Sequence, residues 1–229
     1  MSVHLLTGAG SGIGSALARR LQARGDDLVL LARSAARAAE LAQRFPGART
    51  VVADLAAPTD LASALAEQEL PGRLDSVVHV AGVVDLGPIS EMPVALWTSQ
   101  VNVNLIGPAE LTRLLLPAVR AAHGQVLFVN SGAGLRAAPD WAAYAASKHG
   151  LKALADSLRA EEAPHGVRVS SVFPGRTATA MQERVHEQEG RPYDPSAFID
   201  PESVVTSMLT VLDLPPDAQI PELTIRPGV

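Results

Sequence analysis

Residues 7–14 read Thr-Gly-Ala-Gly-Ser-Gly-Ile-Gly, and this stretch decides the fold class. The apolar run from Val3 to Thr7 leads into it, and residues 12–24 follow with apolar side chains at helical spacing. Glycine lets the backbone turn tightly and approach a ligand without obstruction from a Cβ atom. A helix that begins at such a turn offers free N–H groups and a positive dipole end to a pyrophosphate. The stretch predicts a dinucleotide-binding strand, turn and helix, and the alternative is a plain glycine turn.

Outside this stretch, short apolar runs alternate with helical patterns along the chain. Strands are predicted at 28–32, 50–53, 74–80, 125–130, 167–173 and 222–225, and helices near 34–45, 60–69, 101–122, 141–162 and 201–212. The early strands are apolar throughout, which is typical of a parallel sheet with both faces buried. We therefore predict a doubly wound α/β fold with helices on both faces, formed by a single domain over residues 1–229. Residues 176–200 mix polar residues and prolines, and we expect a mobile substrate loop there.

Composition excludes several classes of function. The net charge is −5 with no block of like charge, so neither nucleic acid nor a membrane is expected as a partner. Cysteine is absent, which excludes disulfides, thiolate catalysis and zinc–thiolate sites. The six histidines show no metal-ligand spacing, so no metal is expected. No apolar run approaches the roughly 18 residues of a membrane span, and no leader peptide follows Met1, so we expect a cytoplasmic protein.

The end of the second predicted strand bears on the choice of nucleotide. An acidic residue there would accept hydrogen bonds from the ribose 2′-hydroxyl of NAD. Ala32 occupies that position, and Arg33 and Ser34 follow it. A guanidinium beside a missing carboxylate suits a 2′-phosphate, because its fork of N–H donors matches phosphate oxygens. The sequence predicts NADP(H), and the alternative is a solvated arginine at a strand end.

A second group of reactive residues begins with Ser131, where the fifth predicted strand ends at Asn130-Ser131. Tyr144 and Lys148 are four residues apart in a predicted helix, so they lie on one face of it. A phenol with a pKa near 10 exchanges protons poorly at neutral pH, and a nearby positive charge lowers that pKa. An oxidised nicotinamide adds a second positive charge, and the Ser131 hydroxyl could hold a substrate oxygen against the phenol. The pattern predicts general acid–base catalysis by Tyr144, and the alternative is a surface pair.

With these residues assembled, the chain resembles the short-chain dehydrogenase/reductase family, in its compact single-domain branch, over nearly its whole length. The resemblance implies a Rossmann-type sheet of seven parallel strands in the order 3-2-1-4-5-6-7. It gives catalytic roles to Ser131, Tyr144 and Lys148, and Lys148 would also bind the nicotinamide ribose. Asn104 resembles the asparagine that kinks the fourth long helix and holds a water of the proton relay.

The resemblance also extends the predicted cofactor site, with one departure. The family usually has Asn-Asn-Ala-Gly after the fourth strand, where this chain has His-Val-Ala-Gly at 79–82, and we interpret His79 as a structural replacement. The stretches at 54–55 and 174–179 resemble segments that contact the adenine, the carboxamide and the pyrophosphate. The predicted cofactor-binding residues are Gly8, Ser11, Gly12, Ile13, Gly14, Arg33, Ser34, Asp54, Leu55, Ala81, Gly82, Tyr144, Lys148, Pro174, Gly175, Thr177 and Thr179.

These patterns together predict an NADP(H)-dependent oxidoreductase that moves a hydride between nicotinamide and a ketone, aldehyde or secondary alcohol. One alternative is a catalytically silent NADP(H)-sensing binding protein. Another is a sugar-nucleotide epimerase or dehydratase of the family's extended branch, but only about 56 residues follow the sixth strand, too few for a substrate domain. Small residues in the helix at 141–162, together with the resemblance, imply a homodimer or homotetramer.

The predicted substrate residues are mostly apolar, which suits a lipophilic or small neutral carbonyl compound. Arg136 and Arg176 could still bind a carboxylate. The full set is Val83, Val84, Leu135, Arg136, Trp141, Arg176, Met181, Tyr193 and Phe198.

Overall fold

The computed structural model describes residues 1–228, so the last residue of the predicted 1–229 domain lies outside the described residues. Seven strands form one parallel sheet in the order β3-β2-β1-β4-β5-β6-β7, which confirms the predicted fold class and strand order. The strands are β1 (Val3–Thr7), β2 (Asp27–Ala32), β3 (Arg49–Val52), β4 (Ser76–His79), β5 (Gln125–Val129), β6 (Arg168–Pro174) and β7 (Glu222–Ile225). Since every strand pair is parallel, the carboxyl ends of all seven strands meet at one edge of the sheet.

Helices cover both faces of this sheet. They are α1 (Gly12–Ala23), α2 (Ala35–Arg44), α3 (Leu61–Ala66), α4 (Val94–Val101), α5 (Gly107–Ala122), α6 (Ala142–Glu162), α7 (Ala180–Glu189) and α8 (Pro201–Leu212). Alternate residues of a strand join different cores, so that Leu6 packs with α1, α2 and α8, and Leu5 packs with α3, α5 and α6. Because both faces are covered, most positions of the central strands are apolar, and the polar side chains among them, such as His4 and His79, are themselves buried. Within residues 1–228, every helix falls short of the length or the apolar character that a bilayer span requires.

The fourth long helix begins earlier than predicted and is interrupted. It starts at Val94 rather than near Val101, and residues 102–106 form one π-helical turn between α4 and α5. A Cβ atom at Gly107 would lie 2.7 Å from the carbonyl oxygen of Leu55, so the helix passes close to the loop after β3. Pro108 has no N–H group, so the donor that an α-helix would offer to the Asn104 carbonyl is missing.

Residues 176–200 are more regular than a loop, which corrects the sequence expectation. The ten-residue helix α7 lies within them, and a short 3-10 turn follows at Pro195–Ala197. The Thr179 side chain accepts a hydrogen bond from the backbone N–H of Gln182 at the start of α7, and Gly190 ends the helix with φ +64°. Val185 is buried and anchors the helix, so the segment packs against the rest of the molecule.

Candidate active site

The carboxyl ends of the strands surround one cleft of about 990 Å³. Open α/β sheets bind their ligands in this position. All the predicted cofactor-binding residues line the cleft, together with Ser131. Of the predicted substrate residues, those that line it are Val83, Val84, Arg136, Trp141, Arg176 and Met181. Asn104, Leu135, Tyr193 and Phe198 do not line it.

Backbone contacts shape the cleft at the glycine loop. Gly8 has φ +73°, and a Cβ atom there would lie 2.7 Å from the backbone nitrogen of Ala81. A Cβ atom at Gly14 would lie 2.2 Å from the Gly8 carbonyl oxygen. The buried Thr7 hydroxyl accepts hydrogen bonds of 3.0 Å from the backbone N–H groups of Val80 and Ala81. The loop is therefore held against the chain after β4, and its backbone fits a pyrophosphate at the start of α1.

Two arginines, Arg33 and Arg37, line the cleft near the end of β2. Arg33 is exposed and lines the cleft, while the Ser34 side chain caps α2 by accepting a hydrogen bond from the Arg37 backbone N–H. The Arg37 guanidinium donates to the Gly10 carbonyl over 3.2 Å and pairs with Glu40. Sequence reasoning missed Arg37, although its position one helical turn after Arg33 is a signal that could have found it.

The three predicted reactive residues meet in the middle of the cleft. Ser131 is the second residue after β5, while Tyr144 and Lys148 lie on one face of α6 and are buried. The Lys148 Nζ donates a hydrogen bond of 3.0 Å to the Val129 carbonyl and lies 5.9 Å from the centre of the Tyr144 ring. The ammonium is therefore fixed beside the phenol ring by the end of strand β5.

The protonation of this group follows from burial. Burial raises the pKa of the Tyr144 phenol, and a hydrogen bond with Ser131 opposes that increase. Burial lowers the pKa of Lys148 to about 8, so the ammonium is still the main form at pH 7. The spacing of Tyr144 and Lys148 predicts a lowered pKa for the phenol, whereas burial in the folded protein raises that pKa. Lowering this pKa therefore requires positive charge beyond that of Lys148.

Asn104 connects the segment after β4 to helix α6. Its side-chain amide accepts a hydrogen bond from the Val83 backbone N–H and donates one to the Val83 carbonyl, both over 2.9 Å. The same amide donates to the Ser147 hydroxyl over 3.0 Å, and Ser147 donates to the Tyr144 carbonyl over 2.7 Å. This buried chain ties the segment after β4 to the helix that carries the phenol. Sequence reasoning missed Ser147, which no motif singles out.

Asn130 holds the other side of the site and was also missed as a functional residue. Its side-chain oxygen accepts a hydrogen bond from the Ser131 backbone N–H over 2.9 Å, and its amide donates to the Lys148 carbonyl over 3.0 Å. Asn130 is buried directly after β5, where it follows four apolar residues, and a buried amide at such a place is a signal of a positioning role. The two asparagines thus fix α6 relative to both neighbouring loops.

His79 lies in the core and does not line the cleft. Its Nε2 and the Thr112 hydroxyl are 2.9 Å apart, and its ring stacks on Phe128 at a centroid distance of 4.9 Å. Burial, with a smaller effect of the Lys148 charge, lowers the pKa of His79 to about 3. The imidazole is therefore neutral near pH 7, and its contacts stabilise the central sheet.

A series of side-chain contacts runs from the Tyr144 ring to helix α7 along one wall of the cleft. The Trp141 ring meets the Tyr144 ring edge-on at 5.8 Å, and the Arg176 guanidinium lies 5.8 Å from the centre of the Trp141 ring. Both guanidinium nitrogens of Arg176 bind the carboxylate of Glu189, one of them over 2.9 Å. These contacts connect α7 to the wall beside the phenol.

The comparison with known families agrees with this geometry. A family model described as short chain dehydrogenase matches residues 2–190. The chain belongs to the short-chain dehydrogenase/reductase family. An uncharacterized oxidoreductase of Staphylococcus epidermidis is 30% identical over 228 residues, which cover 98% of this chain and 96% of that protein.

Solved structures of short-chain dehydrogenases share the fold and include complexes with NADP. An alcohol dehydrogenase of Thermococcus sibiricus, solved with 5-hydroxy-NADP, superposes with a TM-score of 0.81 at 26% identity, covering 100% of both chains. A short chain dehydrogenase of Burkholderia cenocepacia, solved with NADP, superposes with a TM-score of 0.83 at 25% identity and covers 99% of this chain and 88% of that chain. Membership in this family makes the protein an oxidoreductase.

Proposed function

We propose that this short-chain dehydrogenase is an NADP(H)-dependent oxidoreductase acting on a ketone or aldehyde, or on the corresponding alcohol. The observation that carries the proposal is the meeting of Ser131, Tyr144 and Lys148 in the cleft that the glycine loop also lines. A bound nicotinamide would supply or accept the hydride. The protein would supply the proton and hold the reacting oxygen.

Each reactive side chain has a task that its position allows. Tyr144 donates a proton to the carbonyl oxygen during reduction and removes it during oxidation. The Ser131 hydroxyl donates a hydrogen bond to the same oxygen and keeps it against the phenol. Lys148 binds the nicotinamide ribose. Its charge, together with that of an oxidised nicotinamide, would lower the pKa of Tyr144 and oppose the effect of burial.

Asn104 contributes through its backbone and its side chain. Pro108 has no N–H group for the Asn104 carbonyl, which would therefore hold a water molecule of a proton relay that ends at Lys148. The Asn104 side chain meanwhile fixes Val83 and Ser147. Asn104 is therefore a positioning residue that acts through the relay and through α6, without touching the substrate.

The preference for NADP(H) is supported by the charges at the end of β2. Ala32 leaves no carboxylate to bind a ribose 2′-hydroxyl, and Arg33 is exposed at the rim of the cleft, where it can pair with a 2′-phosphate. Arg37 adds a second guanidinium on the same side. The complexes of related dehydrogenases with NADP and 5-hydroxy-NADP are consistent with this preference.

The Tyr144→Phe variant tests the proposed chemistry. We expect kcat for NADPH-dependent carbonyl reduction to fall at least about 100-fold, because a positioned acid–base group contributes roughly that much or more. The dissociation constant for NADPH should change little. The matched control is Tyr193→Phe, at the chain's other tyrosine, which lies outside the cleft and should keep normal turnover. Full activity of Tyr144→Phe against a panel of ketones and aldehydes would contradict the assigned role.

A further inference from the structure

The charged residues that line the cleft are unevenly distributed. The only carboxylates among the lining residues of chain 1–228 are Glu40 and Asp54, which lie on α2 and after β3, near the glycine loop. Arg33 and Arg37 accompany these two carboxylates, whereas Arg136 and Arg226, which follow β5 and β7 in the chain, are lining cations without a lining carboxylate nearby in sequence. A protein with a net charge of −5 thus has a positive region at one end of its cleft. Such a region attracts anions, because a concave low-dielectric wall concentrates the field.

Arg226 is held close to the reactive residues by the topology of the sheet. It directly follows β7, which pairs with β6, and its Nη1 lies 2.7 Å from the place of a Cβ atom on Gly132. Gly132 is the neighbour of Ser131, so the guanidinium is within roughly 8 Å of the Ser131 Cα atom. A side chain at residue 132 would displace the guanidinium, and glycine leaves the space that it occupies.

Two cleft arginines lack the partners that other arginines of this region have. Arg176 is bound by Glu189, whereas no carboxylate of chain 1–228 lies within ion-pairing distance of Arg136 or Arg226. Both guanidinium groups are exposed to the cleft, and within residues 1–228 neither makes a side-chain hydrogen bond to another residue, so their N–H donors can face a ligand. A planar fork of donors is suited to bidentate binding of a carboxylate.

We propose that the substrate of this enzyme carries a carboxylate that Arg226 and Arg136 bind while its carbonyl or hydroxyl group reaches Ser131. This inference rests on the proposed function and names its substrate class. The cleft lining also contains the apolar side chains of Val84, Trp141 and Met181, which suit a short hydrocarbon chain as the body of the substrate. The enzyme is therefore a reductase of short-chain oxo acids or a dehydrogenase of the matching hydroxy acids.

The test compares each acid with its own methyl ester, which removes the charge and keeps the carbonyl group. Wild-type enzyme should reduce acetoacetate or levulinate with a kcat/KM about tenfold or more above that for the methyl ester. In Arg226→Gln and Arg136→Gln this ratio should fall towards one, and added salt should reduce it in the wild type. The control is Arg20→Gln, at an exposed arginine of α1 outside the cleft, which should keep the wild-type ratio.

A binding measurement separates failure of this inference from failure of the proposed function. Calorimetry would titrate acetoacetate and its methyl ester into the complex of enzyme and NADP⁺. Tighter binding of the acid that disappears in Arg226→Gln supports the anion site even if no panel compound is reduced, an outcome that would overturn only the proposed function. Equal binding of acid and ester overturns the inference. Weakened NADPH binding in Arg226→Gln, with the acid preference kept, also overturns it.

Discussion

The two ends of the cleft are built by different means. At the glycine loop, backbone atoms touch backbone atoms, as where the Gly14 Cα faces the Gly8 carbonyl. At the substrate end, α7 is held by side chains, among them the ion pairs of Arg176 with Glu189 and Arg184 with Asp85. Backbone contacts leave no room for another atom, whereas a partly exposed ion pair contributes only about 0 to 1 kcal/mol.

We call the glycine-loop end of the cleft, with the strands behind it, the fixed half of the molecule. The end of the cleft that α7 borders is the adjustable half. The dinucleotide end must present the same N–H groups each time a cofactor binds, so contacts that cannot relax are an advantage there. We expect the substrate end to admit and release a ligand, and contacts of about 1 kcal/mol would allow α7 to open for it. Substitutions at the two ends should therefore differ strongly in the size of their effects.

The largest effect is expected for Gly14→Ala. Alanine is more favourable than glycine within a helix by about 1 kcal/mol. Its Cβ atom, however, would lie 2.2 Å from the Gly8 carbonyl oxygen, and the backbone segments at residues 8 and 14 belong to the same tight turn, so neither can move away alone. We expect the clash to dominate and to lower the free energy of unfolding by about 2 kcal/mol. NADPH affinity should fall by at least about tenfold, as measured by fluorescence titration.

Gly72→Ala is the matched control for this substitution. Nothing lies within 4 Å of a Cβ atom at Gly72, and its φ is not positive, so the variant should unfold and bind NADPH like the wild type. If Gly14→Ala were as stable as Gly72→Ala and bound NADPH normally, the backbone at the glycine loop would be adjustable after all.

An intermediate effect is expected at the edge of the fixed half, where we propose that the Arg33 side chain binds the cofactor. Arg33→Ala should lower kcat/KM for NADPH about tenfold and leave that for NADH nearly unchanged, because the lost contact is a charge-assisted bond to the 2′-phosphate. Ala32→Asp should raise the relative use of NADH by offering a carboxylate to the ribose. Arg20→Ala removes the same charge outside the cleft and should change neither value.

The fixed half is also the half that the sequence predicts best. Most residues of the central strands are apolar because both faces of the sheet are covered, and the glycine spacing follows from contacts that exclude a Cβ atom. Both signals are local in sequence, so a pattern of a few residues contains them. Asn104 was found through the family resemblance, since its role depends on the later residue Pro108 and on Ser147 in another helix.

The adjustable half was predicted less well for a physical reason. Helix α7 is short and mostly polar, so hydrophobic periodicity does not reveal it, although Thr179, Gln182 and Gly190 are ordinary start and stop signals. The contact of Arg226 with Gly132 joins residues that follow β7 and β5, two strands that are not neighbours in the sheet. Only the three-dimensional topology brings them together, and no local pattern predicts such a contact.

The smallest effect is expected for the ion pair that holds α7. Glu189→Gln removes the charge that binds Arg176 and should cost about 1 kcal/mol, since the pair is only partly buried. That cost raises the population in which α7 is open about fivefold. Hydrogen exchange at the backbone amides of residues 180–189 should accelerate by that factor, while exchange in β1 and α1 stays unchanged.

Glu187→Gln is the control for the last variant, because Glu187 lies on the same helix and is exposed. It removes one negative charge from α7 without touching Arg176, so exchange over residues 180–189 should match the wild type. If both variants accelerated exchange equally, helix charge and not the ion pair would hold α7. If neither did, burial of Val185 and Gln182 would dominate, and the substrate end would be as fixed as the glycine loop.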